Sequence, residues 1–215
     1  MAKQLCTAPD LSYESMYGYP KKHIAGADEV GRGCVAGPVV AGAVILPAKI
    51  CFETHPWLLE IRDSKLLSPI QREKLAPLIK SFALASAIGV ATVAEIDQIN
   101  IFHAAHLAMT RALADLKIKP QHILIDGKFL PKQETLIAPA TAIIKGDMKC
   151  LSIAAASVIA KVWRDNYMLE LEDQYPGYGF AQHKGYPTPS HADALKKIGV
   201  SPVHRRSFKT VSELM

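Results

Sequence analysis

The sequence contains no apolar run long enough to cross a membrane. The longest such stretch, residues 35–47, is shorter than the roughly 18 residues that a spanning helix needs, and two glycines and a proline interrupt it. Residues 1–20 include three charged side chains and no continuous apolar segment of the kind that a secretory signal uses. We therefore expect a cytoplasmic protein that has no membrane partner.

Paired cysteines are also missing. The four cysteines of the chain lie far apart, and no Cys-x-x-Cys pair is present. This spacing excludes a zinc knuckle and a dithiol redox motif. We expect reduced and mostly buried thiols, as is usual for cytoplasmic proteins. The cysteines are Cys6, Cys34, Cys51 and Cys150.

Internal repeats, low-complexity tracts and charged linkers are absent as well. With 215 residues, of which 49% are hydrophobic and 21% charged, the chain can bury a full core as one domain. We expect a lead at residues 1–22, a catalytic domain at 23–175 and a basic extension at 176–215. The extension is expected to complete the substrate site.

Positive charge is concentrated at the C-terminus. The formal net charge is +5, and residues 183–215 carry six Lys or Arg against two acids, a net +4. This distribution favours binding of a polyanion by the extension. A solvated basic face remains the alternative. The residues expected to contact phosphate there are Lys184, Lys196, Lys197, Arg205 and Arg206.

Apolar periodicity predicts an α/β fold. Alternating or continuous apolar segments predict five strands, at 24–29, 35–46, 82–93, 123–126 and 141–145. Periods of three and four residues, with capping residues, predict helices at 68–81, 94–116, 152–171 and 191–198. Three consecutive strands followed by strands alternating with helices indicate a mixed five-stranded sheet flanked by helices, with a small helical extension.

Four acidic residues lie at the ends of three predicted strands. Asp28 and Glu29 end the first strand, Asp126 ends the fourth, and Asp147 follows the fifth. Adjacent residues of a strand point to opposite faces, so Asp28 and Glu29 share a site only where the strand ends or bulges. Such a set of oxygen ligands suits Mg²⁺ or Mn²⁺. Considered alone, each of these acids can also be interpreted as an ordinary turn residue.

Several motifs occur in a fixed order along almost the whole chain. GADEVGRG stands at 26–33 and GPVVAGAVIL follows; DSK lies at 63–65, IDG at 125–127, KGD at 145–147, SIAAASVIAKVWRD at 152–165, YGFAQHKGYPT at 178–188 and HRRSF at 204–208. In these blocks, from Ile24 to Phe208, the sequence closely resembles the bacterial ribonuclease HII family. One departure is Leu66, which stands where the family usually repeats lysine after DSK.

The resemblance implies a ribonuclease H-like fold and hydrolysis by divalent metal ions, Mn²⁺ or Mg²⁺. The expected substrate is duplex DNA with an embedded ribonucleotide, cut on the 5′ side of that ribonucleotide, or an RNA–DNA hybrid. By motif position, the expected metal-binding and catalytic residues are Asp28, Glu29, Asp126 and Asp147. The expected substrate-binding residues are Gly31, Arg32, Gly33, Lys65 and Tyr186, together with the basic residues of the extension. We expect a monomer that acts in ribonucleotide removal.

Two other functions remain open at this stage. One is a general ribonuclease H that degrades RNA–DNA hybrids. The other is a catalytically silent nucleic-acid-binding protein. The four acids argue against the second function, because they would repel phosphate. A zinc pair at His103 and His106 lacks a third ligand, and solvent-facing histidines are expected instead. The histidines at 183, 191 and 204 fit either phosphate contacts or a structural role.

Overall fold

The computed structural model describes residues 8–215, so Cys6 lies outside the described residues. One mixed sheet has the order β3-β2-β1-β4-β5; β1 is antiparallel to β2 and parallel to β4, which confirms the predicted mixed five-stranded sheet. The strands are β1 (Ile24–Val30), β2 (Val39–Ile45), β3 (Ala85–Ala91), β4 (His122–Asp126) and β5 (Ala140–Ile143). Each strand overlaps one of the predicted segments, although β2 and β3 are shorter than predicted.

Helices cover both faces of this sheet. They are α1 (Ser12–Met16), α2 (Pro69–Phe82), α3 (Val93–Ala114), α4 (Leu151–Gln174), α5 (Phe180–His183), α6 (Pro189–Ile198) and α7 (Lys209–Ser212). Helix α3 packs on the face formed by Ala25, Ala27 and Ile125, and α4 packs on the opposite face. The close approach of α4 depends on small residues, because a Cβ at Gly42 would collide with the backbone of Ala156.

Three local differences from the predicted elements have clear backbone causes. Strand β2 begins at Val39 because Gly37 takes a positive φ of 77° and Pro38 cannot donate a ladder hydrogen bond. Strand β5 ends before Lys145, whose φ of 57° turns the chain into the Gly146–Met148 3₁₀ turn. Helix α3 is broken at Asn100, with φ 64° and ψ 165°.

The first and last segments of residues 8–215 both pack against α4. In α1, buried Glu14 accepts hydrogen bonds from the backbone N and the Oγ of Ser152, at 2.8 and 2.6 Å, and so caps the first turn of α4. At the other end, Tyr178, Phe180 and Leu195 form a core cluster with Met168 of α4. No helix among the described residues is long and apolar enough to span a membrane.

Candidate active site at the edge of the sheet

Asp28 and Glu29 lie on opposite faces of β1. The β1–β2 ladder pairs every residue from Ala25 to Val30 without a bulge, so side chains alternate throughout. Pairing of β1 with β4 stops at Ala27, which leaves the next two residues at the carboxyl edge of the parallel part of the sheet. The strand is therefore not bulged here; it is ending, which is the other condition that the sequence analysis gave, and the two carboxylates meet at this edge.

Asp126 and Asp147 reach the same edge from β4 and from the turn after β5. Asp126 ends β4, and its Oδ1 accepts a hydrogen bond of 2.6 Å from the backbone N of Gly146. This bond fixes the 3₁₀ turn Gly146–Met148. Asp147, the middle residue of that turn, is buried. The structure thus brings together all four acids that the sequence analysis selected.

The acids are close enough to perturb one another. Burial raises the pKa of Asp28 well above its ordinary value, and the carboxylates of Glu29, Asp126 and Asp147 raise it further. For Asp147, burial and then the neighbouring carboxylates of Asp126 and Asp63 raise the pKa to about 6, against a lowering by the Lys65 ammonium. Negative charge at this edge is therefore incompletely compensated by the protein.

The donor set fits hard divalent cations. The four groups offer carboxylate oxygens, and their mutual repulsion would be relieved by a bound cation. Within residues 8–215, no three His, Cys, Asp or Glu side chains are placed to hold one metal ion together. Magnesium commonly takes only one or two carboxylates from a protein and completes its shell with water and phosphate oxygens. The arrangement matches that mode and not a closed protein cage.

A pocket of about 310 Å³ opens beside Asp28, and we call it the Tyr186 pocket. Glu29 lines it too, and it contains every residue of the predicted 31–33 loop as well as Lys65 and Tyr186. Gly31, at φ +91°, packs against the Arg164 side chain, whereas nothing lies within 4 Å of where a Cβ of Gly33 would stand. Open access to the backbone is therefore found at Gly33.

Two basic side chains of this pocket lie close to acidic side chains. Arg32 Nη1 lies 2.9 Å from Glu29 Oε1, and Lys65 Nζ lies 4.0 Å from an oxygen of Asp147. The Lys65 side chain is 73% exposed, so its ammonium can turn toward an incoming anion. Lys184 is half-buried, and its Nζ donates to the carbonyl of Ala181 at 2.6 Å.

Arg205 does not lie where a phosphate could reach it, which contradicts the sequence expectation. Its side chain is fully buried, and its guanidinium donates to the carbonyl oxygens of Gly37, Pro38 and Arg32 at 2.9, 3.1 and 3.2 Å. Burial lowers its pKa to about 10. Because these carbonyls belong to the loop after β1, Arg205 has a structural role. Arg206, Lys196 and Lys197 are exposed.

The three histidines of the extension also have a structural position. His183, His191 and His204 are buried, and the His183 and His191 rings stack with centroids 4.2 Å apart. His191 Nδ1 lies 2.9 Å from the carbonyl oxygen of Tyr186, and its Nε2 lies 3.0 Å from His204 Nε2. Phosphate contacts by these rings are excluded by their burial.

Sequence reasoning missed four residues of the site. Ser64 and Ser157 share a hydrogen bond of 2.8 Å in the wall of the Tyr186 pocket, and Lys161 Nζ lies 5.8 Å from the Tyr186 ring centroid. Arg164 is fully buried and donates to the carbonyls of Ala36, Pro38 and Lys184 at 2.9 to 3.0 Å. In the sequence, the charged residues Lys161 and Arg164, which follow the Ala-rich run of α4, were the signal that could have pointed to this part of the site.

Known proteins resemble this chain over nearly its full length. A model of the family described as ribonuclease HII matches residues 25–211. Ribonuclease HII of Nitrosococcus oceani is 48% identical over 194 residues, which cover 90% of this chain and 92% of that protein. The chain belongs to the ribonuclease HII family. Ribonuclease HII of Myxococcus xanthus is 52% identical over 194 residues, but the match covers 63% of that protein and 90% of this chain.

Solved structures agree with the family assignment. The ribonuclease H2 from Pyrococcus horikoshii OT3 is 32% identical, has a TM-score of 0.73 and is matched over 96% of its chain and 89% of this one. Bst-RNase HIII in complex with Mn²⁺ has a TM-score of 0.75 at 19% identity, over 95% of this chain and 73% of that one, and shows the fold alone. The chain is a ribonuclease H, a hydrolase of a divalent-metal-dependent family with a ribonuclease H-like fold.

Proposed function

We propose that this ribonuclease HII cuts the phosphodiester on the 5′ side of a ribonucleotide embedded in duplex DNA, and cuts RNA in RNA–DNA hybrids. The ends left are a 3′-hydroxyl and a 5′-phosphate. The observation that carries this proposal is the position of Asp28 and Glu29, two of the four acids, in the wall of the Tyr186 pocket beside Gly33 and Tyr186. Ribonucleotide removal in DNA repair and replication is the corresponding role, in the cytoplasm.

Mg²⁺ or Mn²⁺ is the proposed cofactor, and Asp28, Glu29, Asp126 and Asp147 are the carboxylates that would hold the ions, one or two to each ion. Bound there, the metal supplies an activated water and stabilises charge on the phosphate and on the leaving 3′-oxygen. The protein itself contributes placement of these carboxylates on rigid strands and turns. The side chains of Asp28 and Asp147 are themselves buried.

Recognition of the ribose is assigned to Gly33 and Tyr186. The 2′-hydroxyl is the group that separates a ribonucleotide from its deoxy counterpart, so discrimination needs a polar contact at that position. An open glycine lets backbone groups approach the hydroxyl without a Cβ in the way. Tyr186 is 38% exposed in the same pocket, so its ring and hydroxyl can meet the sugar. Lys65 and Lys161 line this pocket and would contact the phosphates beside it.

The extension at 176–215 is proposed to complete the substrate site of a monomeric enzyme. The backbone N of Val35 donates to the carbonyl of Gly185 at 2.9 Å, which joins the loop after β1 to the segment that carries Tyr186. Exposed Lys196, Lys197 and Arg206 would contact phosphates away from the cut.

Cleavage of three labelled duplexes tests the proposal. With Mg²⁺, the wild type should cut a DNA duplex carrying one ribonucleotide and leave an all-DNA duplex intact, while an RNA–DNA hybrid should also be cut. Asp126→Asn should remain folded, because removing one of several repelling charges costs little, yet should lose cleavage by orders of magnitude. Cleavage of the hybrid alone would favour a general ribonuclease H, and an active, folded Asp126→Asn protein would contradict the assigned site.

A further inference from the structure

A second pocket lies beyond Glu29, on the α3 face of the sheet. It has a volume of about 260 Å³, and we call it the Phe129 pocket. Glu29 and Arg32 line both this pocket and the Tyr186 pocket. Asp126 lines the Phe129 pocket, whereas Asp28 lines the Tyr186 pocket. The two pockets therefore flank the acidic edge, one on each side.

Aromatic side chains form the apolar part of the Phe129 pocket. Phe129 is 55% exposed, so its ring is accessible from solvent. The Phe102 ring supports it edge-on, with centroids 5.8 Å apart, and His106 packs on Phe102 at 4.5 Å. The pocket thus presents a supported apolar face to solvent.

Helix α3 holds Phe102 in a fixed position. At the break in α3, the Asn100 Oδ1 accepts hydrogen bonds from the backbone N of Phe102 at 3.0 Å and of His103 at 3.2 Å. The side chain therefore acts as a new N-cap for the second half of the helix. A non-glycine residue at φ 64° and ψ 165° is strained, and such strain is concentrated at functional sites.

Positive charge accompanies the aromatic face. Lys128 is exposed, and its Nζ lies 5.3 Å from the Phe129 ring centroid. Among the described residues that line the pocket, the acids are Glu29 and Asp126, both of the active site. Gly127, at φ +109°, turns the chain sharply after Asp126 and leaves open space where a Cβ would stand. An apolar face beside a free ammonium matches a sugar and its phosphate.

We propose that the Phe129 pocket binds the deoxynucleotide on the 5′ side of the cut, the one that ends as the 3′-hydroxyl product. This inference rests on the proposed function, which places the ribonucleotide in the Tyr186 pocket and the scissile phosphate at the acids. A strand that continues across Glu29 enters the Phe129 pocket. There Phe129 packs against the deoxyribose, and Lys128 contacts the phosphate that precedes it.

Changes to Phe129 and to the nucleotide that it is proposed to contact, made separately and together, test this contact. One duplex carries a lone ribonucleotide in normal DNA, and a second replaces the nucleoside 5′ to it by a propanediol spacer that keeps the phosphates. Phe129→Ala should lower kcat/KM on the normal duplex about tenfold, because the apolar contact with the deoxyribose is lost. Phe129→Leu should retain most activity. Ile137→Ala is the matched control, since Ile137 is 41% exposed on the same loop and outside the pocket.

The loss of activity caused by Phe129→Ala and the loss caused by the spacer should not be additive. The wild type should lose a similar factor on the spacer duplex, and Phe129→Ala should lose little more when it acts on that duplex, because the contact is already gone. Losses that multiply, or an unimpaired Phe129→Ala, would overturn the proposal. Failure of the wild type to cut the normal duplex would instead overturn the proposed function. An unchanged Tm of Phe129→Ala checks that the variant is folded.

Discussion

Arg205 and Arg206 are chain neighbours with opposite environments. The guanidinium of Arg205 is buried and donates to three carbonyl oxygens of the loop after β1. Arg206 is exposed, and its backbone N donates to Asp97 Oδ2 at 3.1 Å. A buried guanidinium that satisfies backbone acceptors contributes to stability, whereas an exposed one is free to release counterions from a polyanion.

Substitution of each arginine by alanine should therefore have a different effect. Arg205→Ala should lower the free energy of unfolding by about 2 to 4 kcal/mol, because it removes a fully buried side chain and the donor to the Gly37 carbonyl, although the Pro38 carbonyl keeps its Arg164 donor. Arg206→Ala should leave Tm unchanged and reduce the slope of log affinity against log salt by about one unit. Thermal melts and salt-dependent binding measure the two effects. An exchange of these phenotypes would contradict the assigned roles.

Tyr186 is assigned to recognition of the ribose and not to metal binding. Its ring lies in the pocket beside Asp28, while Tyr186 itself makes no contact with Asp126 or Asp147 in the hydrogen-bond pattern of the described residues. Tyr186→Ala should lose most activity on the single-ribonucleotide duplex, and Tyr186→Phe should retain the part that depends on ring packing. Metal binding, measured by calorimetry, should stay near the wild-type value in both variants. Full activity of Tyr186→Ala would remove the residue from the recognition model.

At the scale of elements, three histidines connect α5 and α6 with the 199–205 segment. The Tyr186 carbonyl can only accept, so His191 Nδ1 donates to it. The backbone N of Ser201 donates to His204 Nδ1 at 3.1 Å, so His204 Nε2 carries the proton and donates to His191 Nε2. Every ring nitrogen of this pair is satisfied when both histidines are neutral. Protonation of His191 would place two N–H groups against each other.

Stability should therefore fall on the acid side of neutrality. Burial lowers the pKa of His204 to about 4, whereas a histidine of an unfolded chain titrates near 6.5. Between these values the unfolded chain binds more protons, so the contribution of His204 is complete above about pH 6.5 and declines as pH falls toward 4. His204→Gln should be less stable at pH 7.5 but should lose less Tm between pH 7 and 5. A constant Tm difference from the wild type over that range would contradict this assignment.

At the scale of the whole molecule, the extension is part of the same folded unit as the sheet. Met168 of α4 packs with Phe180 and Leu195, and Arg164 of α4 donates to the Lys184 carbonyl. The Ala36–His204 bridge ties the extension to the loop after β1. The exposed stretch between α4 and Tyr178 is short, and these contacts join the parts on either side of it, so cooperative unfolding is expected.

Calorimetry should show one unfolding transition for the full chain. Truncation after Tyr175 should expose the cluster around Met168 and remove Tyr186, so the shortened protein should be unstable and without ribonucleotide selectivity. Fluorescence of a hydrophobic dye and the cleavage assay measure these outcomes. Two separate transitions, or a stable 1–175 fragment that still prefers the ribonucleotide duplex, would show that the extension is an independent unit.

Local pattern alone predicted most of the elements of this protein. Alternation and three-to-four periodicity depend on which face of a strand or helix is buried, and they placed five strands and the four longer helices. Acids at strand ends could be selected because parallel strands end at one edge. Positions of positive φ, such as Lys145 and Asn100, carry little signal in side-chain pattern, so the end of β5 and the break in α3 were missed.

The tertiary structure alone decided what each basic and histidine residue does. In the sequence, Arg205, Arg206 and the histidines form one basic tail; in the fold, long-range contacts bury Arg205 against carbonyls 167 and 168 residues away along the chain. Burial of a charge depends on partners distant in sequence, which composition cannot show. For the same reason, the straight course of β1, with Asp28 and Glu29 on opposite faces and a pocket on each side, became visible only when α3 and α4 were in place.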